Sequence, residues 1–468
     1  MFFVCGILSL SMIIMESVIN EIIVPLFLKT AVVWVPLVSF FLAQNWWKKK
    51  KRLEFLAGLK WSLLEVKIPK DVYKTPEAME IILGNALYQA GGVGNWYDRN
   101  WKGKVMAYHT LEIVSIEGNI YFFIRVESRF KNLVETQIYS QYPNAEVTEV
   151  DDYTRYVPKF AKGNGWELRG FEMKLDKDDA IPIKTYLDFG MDSKSLSLDE
   201  EQKIDPLTPL IEMLGSLKKG EQVWIQIFVR AAGKNLKLAE AKQEDWFFKN
   251  LFGEKEDYLH LEKDGKIEDW QAQGQRLIKE LLDEYATATA GEGDKAKKVG
   301  GYKNLPPDKK ELVDRIERSI MKLGFDVGIR VIYYAKKESF NGMRCPTEIT
   351  SALRQFSAPK TSPYNGLSMT NFTNGFDFPW QDPEGVRAAK NQKKMFEQYV
   401  KRAYFYAPAT TSEDMFYFFS VEKDGKKPFT LNTEELATLF HFPGRVSTTG
   451  SFERIAAQKA EPPANLPI

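Results

Sequence analysis

The feature that most restricts the fold of this chain is a long apolar run near its start, which is followed directly by two tryptophans and five cations. The run reads IIVPLFLKTAVVWVPLVSFFLAQ from Ile22 and leads into Trp46, Trp47, Lys48, Lys49, Lys50, Lys51 and Arg52. About 20 mostly apolar residues cross about 30 Å of hydrocarbon, indole rings favour the headgroup level, and clustered Lys and Arg favour the cytoplasmic side. We therefore expect a transmembrane helix in the cytoplasmic (inner) membrane, a membrane interface at residues 46–52, and soluble domains in the cytoplasm.

A second apolar stretch, FFVCGILSLSMIIM, precedes this run and is separated from it by Glu16 and Glu21. It is short for a membrane span. Three alternatives stay open: it forms a hairpin with the main helix, it lies in the interface, or it is absent because translation begins at a later Met. Residues 1–52 are predicted to form a membrane anchor that ends in a basic juxtamembrane cluster.

The composition indicates a protein with packed soluble domains. Its 468 residues leave room for two or three domains behind the anchor, and 44% hydrophobic residues are normal for packed cores. The formal net charge of +1, from 64 basic and 63 acidic groups, argues against a surface devoted wholly to nucleic acid, so any such contact is regional. Cys5 and Cys345 lie far apart and provide no disulfide framework.

The predicted elements of residues 60–155 follow the order strand, helix, strand, strand, helix, strand. LLEVKIPK is a predicted strand, and a helix is predicted from Thr75 to about Ala90. HTLEIVSI and IYFFIRVES are strands on either side of a short turn, KNLVETQIYSQY has helical spacing, and NAEVTEVDD is a strand. This order is typical of the split βαβ, ferredoxin-like arrangement.

A second αβ domain is predicted for residues 160–340. Its strands are WELRGFEMKL, IPIKTYLDF, EQVWIQIFVRAA and FDVGIRVIYYA, its helices are DPLTPLIEMLGSL and ELVDRIERSIMKLG, and a helical insertion interrupts it at about 234–305. Residues 341–468 are predicted to form a helical and loop region with a C-terminal docking helix and a Pro-rich tail. The predicted fold class is α+β, with an N-terminal transmembrane helix or hairpin followed by two ferredoxin-like αβ domains, the second with the insertion.

No set of residues indicates catalysis. The sequence lacks GxxxxGK[ST], GxSxG, HExxH, CxxC and the kinase signature set. His109, His260 and His441 lie far apart without the spacing of a metal site, and the carboxylate pairs at 151–152 and 178–179 are typical of solvated turns. We therefore predict a protein that is not an enzyme, with no catalytic residue, no cofactor and no metal.

Two further features are candidates for binding. Trp96, Tyr97 and Trp101 lie in a Gly-bounded loop and form either a partner-binding knob or a cluster that folds back on its own domain. The helix EGVRAAKNQKKMFEQYVKRAYFY either contacts phosphates or is a core helix with a solvated basic face. Its candidate nucleic-acid contacts are Lys393, Lys394, Lys401 and Arg402.

Five segments of this chain share one resemblance: VETQIYSQYPNAEVTEVDDY, FDFPWQDPEG, KRAYFYAP, LNTEELATLFHFPG and AEPPANLP. They resemble proteins of bacterial type IV secretion and conjugation systems. More specifically, the chain resembles the region that precedes the motor domain in membrane-bound DNA-transfer ATPases of the HerA/FtsK-like coupling class. In those proteins a nucleotide-binding core follows, whereas this chain stops at Ile468. The resemblance therefore implies a split system, with the motor on a separate polypeptide, or a truncated product.

The C-terminal segments suit docking to such a partner. Asn432 is predicted to cap a helix with Glu435 at the reciprocal position, and Pro462, Pro463 and Pro467 favour an extended tail. An internal packing helix followed by a frayed tail is the alternative. The candidate docking residues are Leu436, Leu439, Phe440, His441, Phe442 and Pro443.

Together these features predict a non-catalytic, membrane-anchored adaptor subunit of a type IV secretion or conjugation-like machine that transfers DNA or protein. The expected partners are the cytoplasmic membrane, a hexamer-forming ATPase in trans and further copies of the chain, with nucleic acid contacted only indirectly. Two alternatives stay open. One is a structural scaffold of a membrane assembly unrelated to DNA transfer, and the other is a membrane-tethered hydrolase that uses carboxylates.

Overall fold

The computed structural model describes residues 24–69, 74–89, 96–191, 205–232, 262–263, 266–267, 269–285, 287–288, 298–299, 301–359, 362–370, 372–373, 378–406 and 428–443. These residues divide into two compact units. The first unit contains residues 24–58 and 96–105, and the second contains the other described residues. The apolar stretch before Glu16 and the Pro-rich tail with Pro462, Pro463 and Pro467 lie outside the described residues.

Helices and strands follow each other along the described chain. The α-helices are α1 (Val24–Gly58), α2 (Glu77–Ile82), α3 (Trp96–Asn100), α4 (Lys131–Gln141), α5 (Thr208–Gly215), α6 (Trp270–Glu284), α7 (Gly301–Asn304), α8 (Pro307–Ile320), α9 (Thr350–Leu353), α10 (Val386–Val400) and α11 (Thr433–Leu439). The strands are β1 (Trp61–Lys67), β2 (His109–Ile116), β3 (Asn119–Glu127), β4 (Glu146–Val150), β5 (Trp166–Leu175), β6 (Glu221–Ala231), β7 (Glu262–Lys263), β8 (Lys266–Ile267), β9 (Thr287–Ala288), β10 (Lys298–Val299), β11 (Gly324–Lys336), β12 (Leu367–Thr370) and β13 (Phe429–Asn432). Short 3-10 or π segments lie at Leu83–Leu87, Ser128–Phe130, Tyr153–Tyr156, Arg344–Ile349, Arg354–Phe356 and Pro379–Gln381.

One antiparallel sheet of nine strands is the centre of the second unit, as far as the chain is described. Eight strands follow the order β12-β5-β11-β6-β2-β3-β1-β4, and β13 pairs with the start of β11. The central ladder joins β2 to β6, from His109 opposite Val229 to Ile116 opposite Gln222. Because this ladder pairs the whole of β2, the four strands on each side of it belong to a single sheet.

The predicted fold class is wrong. Among the described residues, none of the helices combines the length with the apolar character that a membrane span requires. Instead, α1 carries Lys29 near its start and continues as a helix through Lys48–Arg52 to Gly58. The two αβ domains predicted as separate bodies are joined in one nine-stranded sheet, because β2 of the first predicted domain pairs with β6 of the second.

One predicted strand is also absent from its place. The segment IPIKTYLDF, residues 181–189, forms turns and irregular backbone instead of a strand. The backbone N–H of Thr185 donates to the Asp188 carboxylate at 2.9 Å, and this local bond closes the chain into a turn. A polar pair three residues apart thus overrides the alternating pattern that predicted the strand.

Both faces of the sheet are buried, as expected for strands whose successive side chains point to opposite sides. On one face, Ile113 and Phe122 pack in a large cluster that includes Leu436 of α11. On the other face, Trp224 and Tyr334 pack against α10. Strand β6 is buried at all its positions, because both layers cover it.

Between β6 and β11 in the chain, helix α6 of the insertion and helix α8 after it form a smaller core. Ile278 of α6 packs with Val313 and Ile316 of α8. Asp269 begins α6 by accepting a hydrogen bond from the backbone N–H of Ala272 at 2.8 Å.

Candidate functional site

Aromatic and cationic side chains of the first unit lie in one cluster. The rings of Trp47 in α1 and Trp101 after α3 meet edge to face with their centroids 5.6 Å apart. Three cations lie over aromatic rings at 5.0, 5.1 and 5.5 Å, which is within the range of cation-π attraction. The cluster, called here the aromatic-basic cluster, consists of Trp46, Trp47, Lys50, Lys51, Tyr97, Trp101 and Lys102.

Helical spacing and one glycine build this cluster. Lys50 follows Trp46 by four residues, which places both side chains on the same face of α1. Gly103 has a φ of 66° and lies against the backbone of Lys51 and Arg52, where any Cβ would overlap main-chain atoms. The glycine therefore allows the segment after α3 to approach α1, so that aromatic groups about 50 residues apart in sequence meet.

The predicted membrane-interface residues share one helix but not one environment. Trp46 and Trp47 are each 36% exposed, and Lys50 is exposed at the same end of α1. Lys49 is buried, and Lys51 donates to the Glu54 carboxylate at 2.7 Å. Only part of the basic run is therefore presented to solvent.

The predicted docking residues are buried in the second unit. Phe440 and Phe442 pack against Phe122 with ring centroids 5.8 and 5.7 Å apart, and His441 Nε2 lies 3.2 Å from Asp205 Oδ1. The structure brings all six together in the core rather than on a surface: Leu436, Leu439, Phe440, His441, Phe442 and Pro443.

The cap that precedes these residues is confirmed. The backbone N–H of Glu435 donates to the side chain of Asn432 at 2.8 Å, and the backbone N–H of Asn432 donates to the carboxylate of Glu435 at 2.9 Å. Burial raises the pKa of this carboxyl to about 8, although two backbone N–H groups oppose the shift.

The four predicted nucleic-acid contacts separate into two environments. Lys393, Lys394 and Lys401 are exposed on or just after α10. Arg402 is only 1% exposed, and its guanidinium bonds to the carboxylates of Glu112 and Asp152 inside the second unit. Arg402 is thus unavailable to a phosphate in this structure.

Sequence reasoning missed the buried polar network that receives Arg402. Glu112 Oε1 accepts from Arg402 Nε at 3.1 Å, and Glu112 Oε2 accepts from the hydroxyl of Tyr153 at 2.8 Å. Tyr153 and Tyr399 share a hydrogen bond of 2.6 Å. Burial opposes ionisation of Glu112, but the charge and hydrogen bonds of Arg402 outweigh it and hold the pKa of this carboxyl below its ordinary value.

The network continues as a row across the sheet. Gln226 lies opposite Glu112, Arg330 lies opposite Gln226, and Glu172 lies opposite Arg330 on four adjacent strands. Arg330 Nε donates to Glu172 Oε1 at 3.0 Å. The available signal was a charged or amide residue with an apolar residue on each side in all four strands: Glu112, Gln226, Arg330 and Glu172. These groups are buried and pair with one another, so their role is to stabilise the interior of the sheet.

The carboxylate pairs considered for a hydrolase have structural partners. Asp152 pairs with Arg402, and Asp179 accepts a hydrogen bond from the backbone N–H of Thr430 at 3.1 Å. Within the described ranges, no group of three or more His, Cys, Asp or Glu side chains is placed to hold a metal ion.

Comparison with known proteins gives one extensive match and one partial match. A family model described as "Domain of unknown function (DUF8128)" matches residues 48–451. The chain is also 28% identical over 117 residues to purple acid phosphatase 19 of Arabidopsis thaliana. That alignment covers 23% of this chain and 30% of the phosphatase, so the chain spans under a third of that relative's length.

Proposed function

The chain belongs to the family described as Domain of unknown function (DUF8128), and from its geometry we propose that it is a non-enzymatic adaptor that binds an anionic lipid surface peripherally through the aromatic-basic cluster. The observation that carries this proposal is the pairing of exposed indoles with cations, in which Lys50 lies over Trp46 at 5.1 Å and Lys51 lies over Trp47 at 5.0 Å. The second unit is then available for other contacts.

The chemistry of the cluster favours a lipid headgroup layer. Indole rings prefer the membrane-water interface, where an apolar body and one N–H donor are both accommodated. Each cation near an anionic leaflet adds about 1 kcal/mol of attraction, which salt weakens. This mode of binding requires no membrane-spanning helix, because the rings and cations act at the surface.

Vesicle binding by the purified full chain tests the proposal. We expect co-sedimentation with vesicles of phosphatidylcholine and phosphatidylglycerol, and much less with phosphatidylcholine alone. The double substitution Lys50→Gln and Lys51→Gln should weaken binding about 30-fold, from about 1 kcal/mol per cation. Gly103→Ala keeps every charge and ring, but its methyl group should separate the two segments of the cluster. This substitution should therefore also weaken vesicle binding.

A matched control removes the same charge elsewhere. Lys218 and Lys219 are exposed in the second unit, so Lys218→Gln with Lys219→Gln should leave vesicle binding unchanged. Equal loss in the control and the test variant would contradict the proposal, as would equal binding to vesicles with and without anionic lipid.

A second candidate function rests on the partial similarity to purple acid phosphatase 19. It is hydrolysis of a phosphate ester, and it agrees with the hydrolase alternative drawn from the sequence. Turnover of p-nitrophenyl phosphate that depends on an added divalent metal ion and is abolished by one Asp or Glu substitution would favour it. Absence of turnover with a range of metals would count against it.

The remaining partners stay predictions. These are a separate ATPase, further copies of the chain, and a role as a scaffold. Pull-down of a neighbouring-gene ATPase by the full chain tests the first, and the mass of the purified protein in solution tests self-association.

A further inference from the structure

Two aromatic rings stack on the surface just before α10. Phe378 and Trp380 are 49% and 72% exposed, their centroids lie 4.6 Å apart, and their planes differ by 11°. Asp382 follows and accepts hydrogen bonds from the backbone N–H groups of Arg387 at 3.0 Å and Ala388 at 2.7 Å. These bonds tie the aromatic segment to the first turn of α10, so the stack has a defined place at one end of the helix.

The solvent face of α10 carries cations along its length. At 100° per residue, Arg387, Lys390, Lys394 and Lys401 fall within about 60° of one another around the helix axis. All four side chains are exposed, whereas the opposite face with Phe396 is buried against the sheet. The stripe covers about 21 Å at 1.5 Å per residue.

From this arrangement we infer that α10 and the Phe378–Trp380 stack form a binding site for single-stranded nucleic acid. A stacked, exposed ring offers a flat apolar face on which an unpaired base stacks, and a line of cations follows the phosphates of the adjoining strand. This site consists of residues of the second unit, whereas the aromatic-basic cluster belongs to the first unit.

The shape of the charged surface favours a strand over a duplex or a membrane. In a duplex the bases are already stacked on each other, so their faces are closed to Trp380. The stripe is narrow, because Glu397 lies beside it and pairs with Lys393 at 4.0 Å, and Glu384 is exposed near its start. A linear polyanion fits this stripe, whereas a broad anionic plane would also meet those carboxylates.

Fluorescence anisotropy with a labelled single-stranded oligothymidylate and the full-length protein tests the site. We expect salt-dependent binding with a slope of log affinity against log salt of about −3, from about −0.7 for each of four phosphate contacts. Trp380→Ala should weaken binding about 10-fold through loss of base stacking, and Trp380→Phe should retain most of the affinity. Lys390→Gln with Lys394→Gln should reduce the slope by about 1.4.

Two control variants separate this site from general electrostatic attraction. Lys218→Gln with Lys219→Gln, and Lys50→Gln with Lys51→Gln in the first unit, should leave oligonucleotide affinity unchanged. Three results would overturn the inference: no binding at low salt, duplex bound as tightly as single strand, or equal losses in control and test variants. Loss of vesicle binding rather than oligonucleotide binding in the Lys390 and Lys394 variant would also overturn it, in favour of a lipid surface.

Discussion

Arg402 combines two properties that rarely occur together. Its φ of 49° lies in the left-handed region, and its side chain is almost fully buried. Burial disfavours the guanidinium charge, but Glu112 and Asp152 outweigh this effect and hold the pKa of Arg402 well above its ordinary value. The residue therefore stays charged inside the fold, where two carboxylates depend on it.

Replacement of Arg402 tests this dependence. Arg402→Met leaves Glu112 and Asp152 without their cation, and we expect the free energy of unfolding to fall by about 3–5 kcal/mol. Urea unfolding followed by circular dichroism measures the change. The neighbouring exposed substitution Lys401→Met should alter stability by no more than about 0.5 kcal/mol, and a comparable loss there would contradict the account.

His109 makes stability depend on pH. Burial, followed by the charges of Arg129 and Arg125, lowers the pKa of His109 to about 3. Between the unfolded pKa of about 6.5 and this folded value, only the unfolded chain binds the proton, so the free energy of unfolding falls as the pH falls. His109→Phe should remove this pH-dependent loss. Relative to the unsubstituted protein, its free energy of unfolding should therefore be higher by about 2 kcal/mol more at pH 5 than at pH 7.5. Parallel pH profiles of the two proteins would contradict the prediction.

Among the secondary-structure elements, α10 and the segment after it hold the C-terminal part of the chain to the sheet. Arg330 Nη2 donates to the carbonyl of Ala403 at 3.1 Å, and the ring of Tyr404 stacks on Phe228 with centroids 5.0 Å apart. Tyr404 lies directly over Gly328, where a side chain would overlap the ring. The glycine thus provides the space through which this segment crosses β11.

Substitution of Gly328 tests that crossing. Gly328→Ala should lower the free energy of unfolding by about 1–3 kcal/mol, because the added methyl group displaces Tyr404. Thermal or urea unfolding measures the loss. Gly342→Ala is the matched control, since its nearest neighbour, the Arg169 guanidinium, lies at an ordinary distance of 3.7 Å. Equal effects of the two substitutions would argue against the close approach.

Local pattern predicts some of these elements and misses the surroundings of others. The predicted strand HTLEIVSI coincides with β2, and IYFFIRVES matches β3 to within one residue at each end. The Asn432 cap begins α11. These predictions succeed because alternation and capping act within a few residues. What surrounds α11 depends on strands that are distant in sequence, which local pattern does not specify. Its apolar residues were predicted to dock a partner, but they fill the core beside Phe122.

The ladder between β2 and β6 joins the two groups of four strands in the second unit into one sheet. Ile113 lies opposite Ile225 in this ladder, and both belong to the large core that extends under the two groups of strands. Neither group of four strands buries its edge without the other. The second unit should therefore unfold as one cooperative body.

Two core substitutions test that cooperativity. Phe122→Ala lies on β3 and Phe171→Ala on β5, and each should cost about 3–5 kcal/mol. Both should shift the same urea transition, with far-ultraviolet and near-ultraviolet circular dichroism remaining coincident. Two separate transitions, each moved by only one of the substitutions, would show that the groups fold independently.

The residues of the candidate sites could be predicted from the sequence only in part. The sequence alone located Trp46, Trp47, Trp96, Tyr97 and the basic run, because composition marks aromatic and charged segments without knowledge of the fold. It could not show that Trp101 meets Trp47, since Gly103 brings those segments together only through a close backbone contact. Nor could it separate Arg402 from Lys394, because burial depends on which strand lies beneath each turn of the chain.

Periodicity, caps and composition are properties of neighbouring residues, and they predict the longer strands and the α11 cap. The joined sheet, the burial of Arg402 and the interior position of Phe440 follow from contacts between residues 80 or more positions apart. Such contacts are selected by the packing of the complete chain, because each side chain gains its stabilisation from partners that local spacing does not specify.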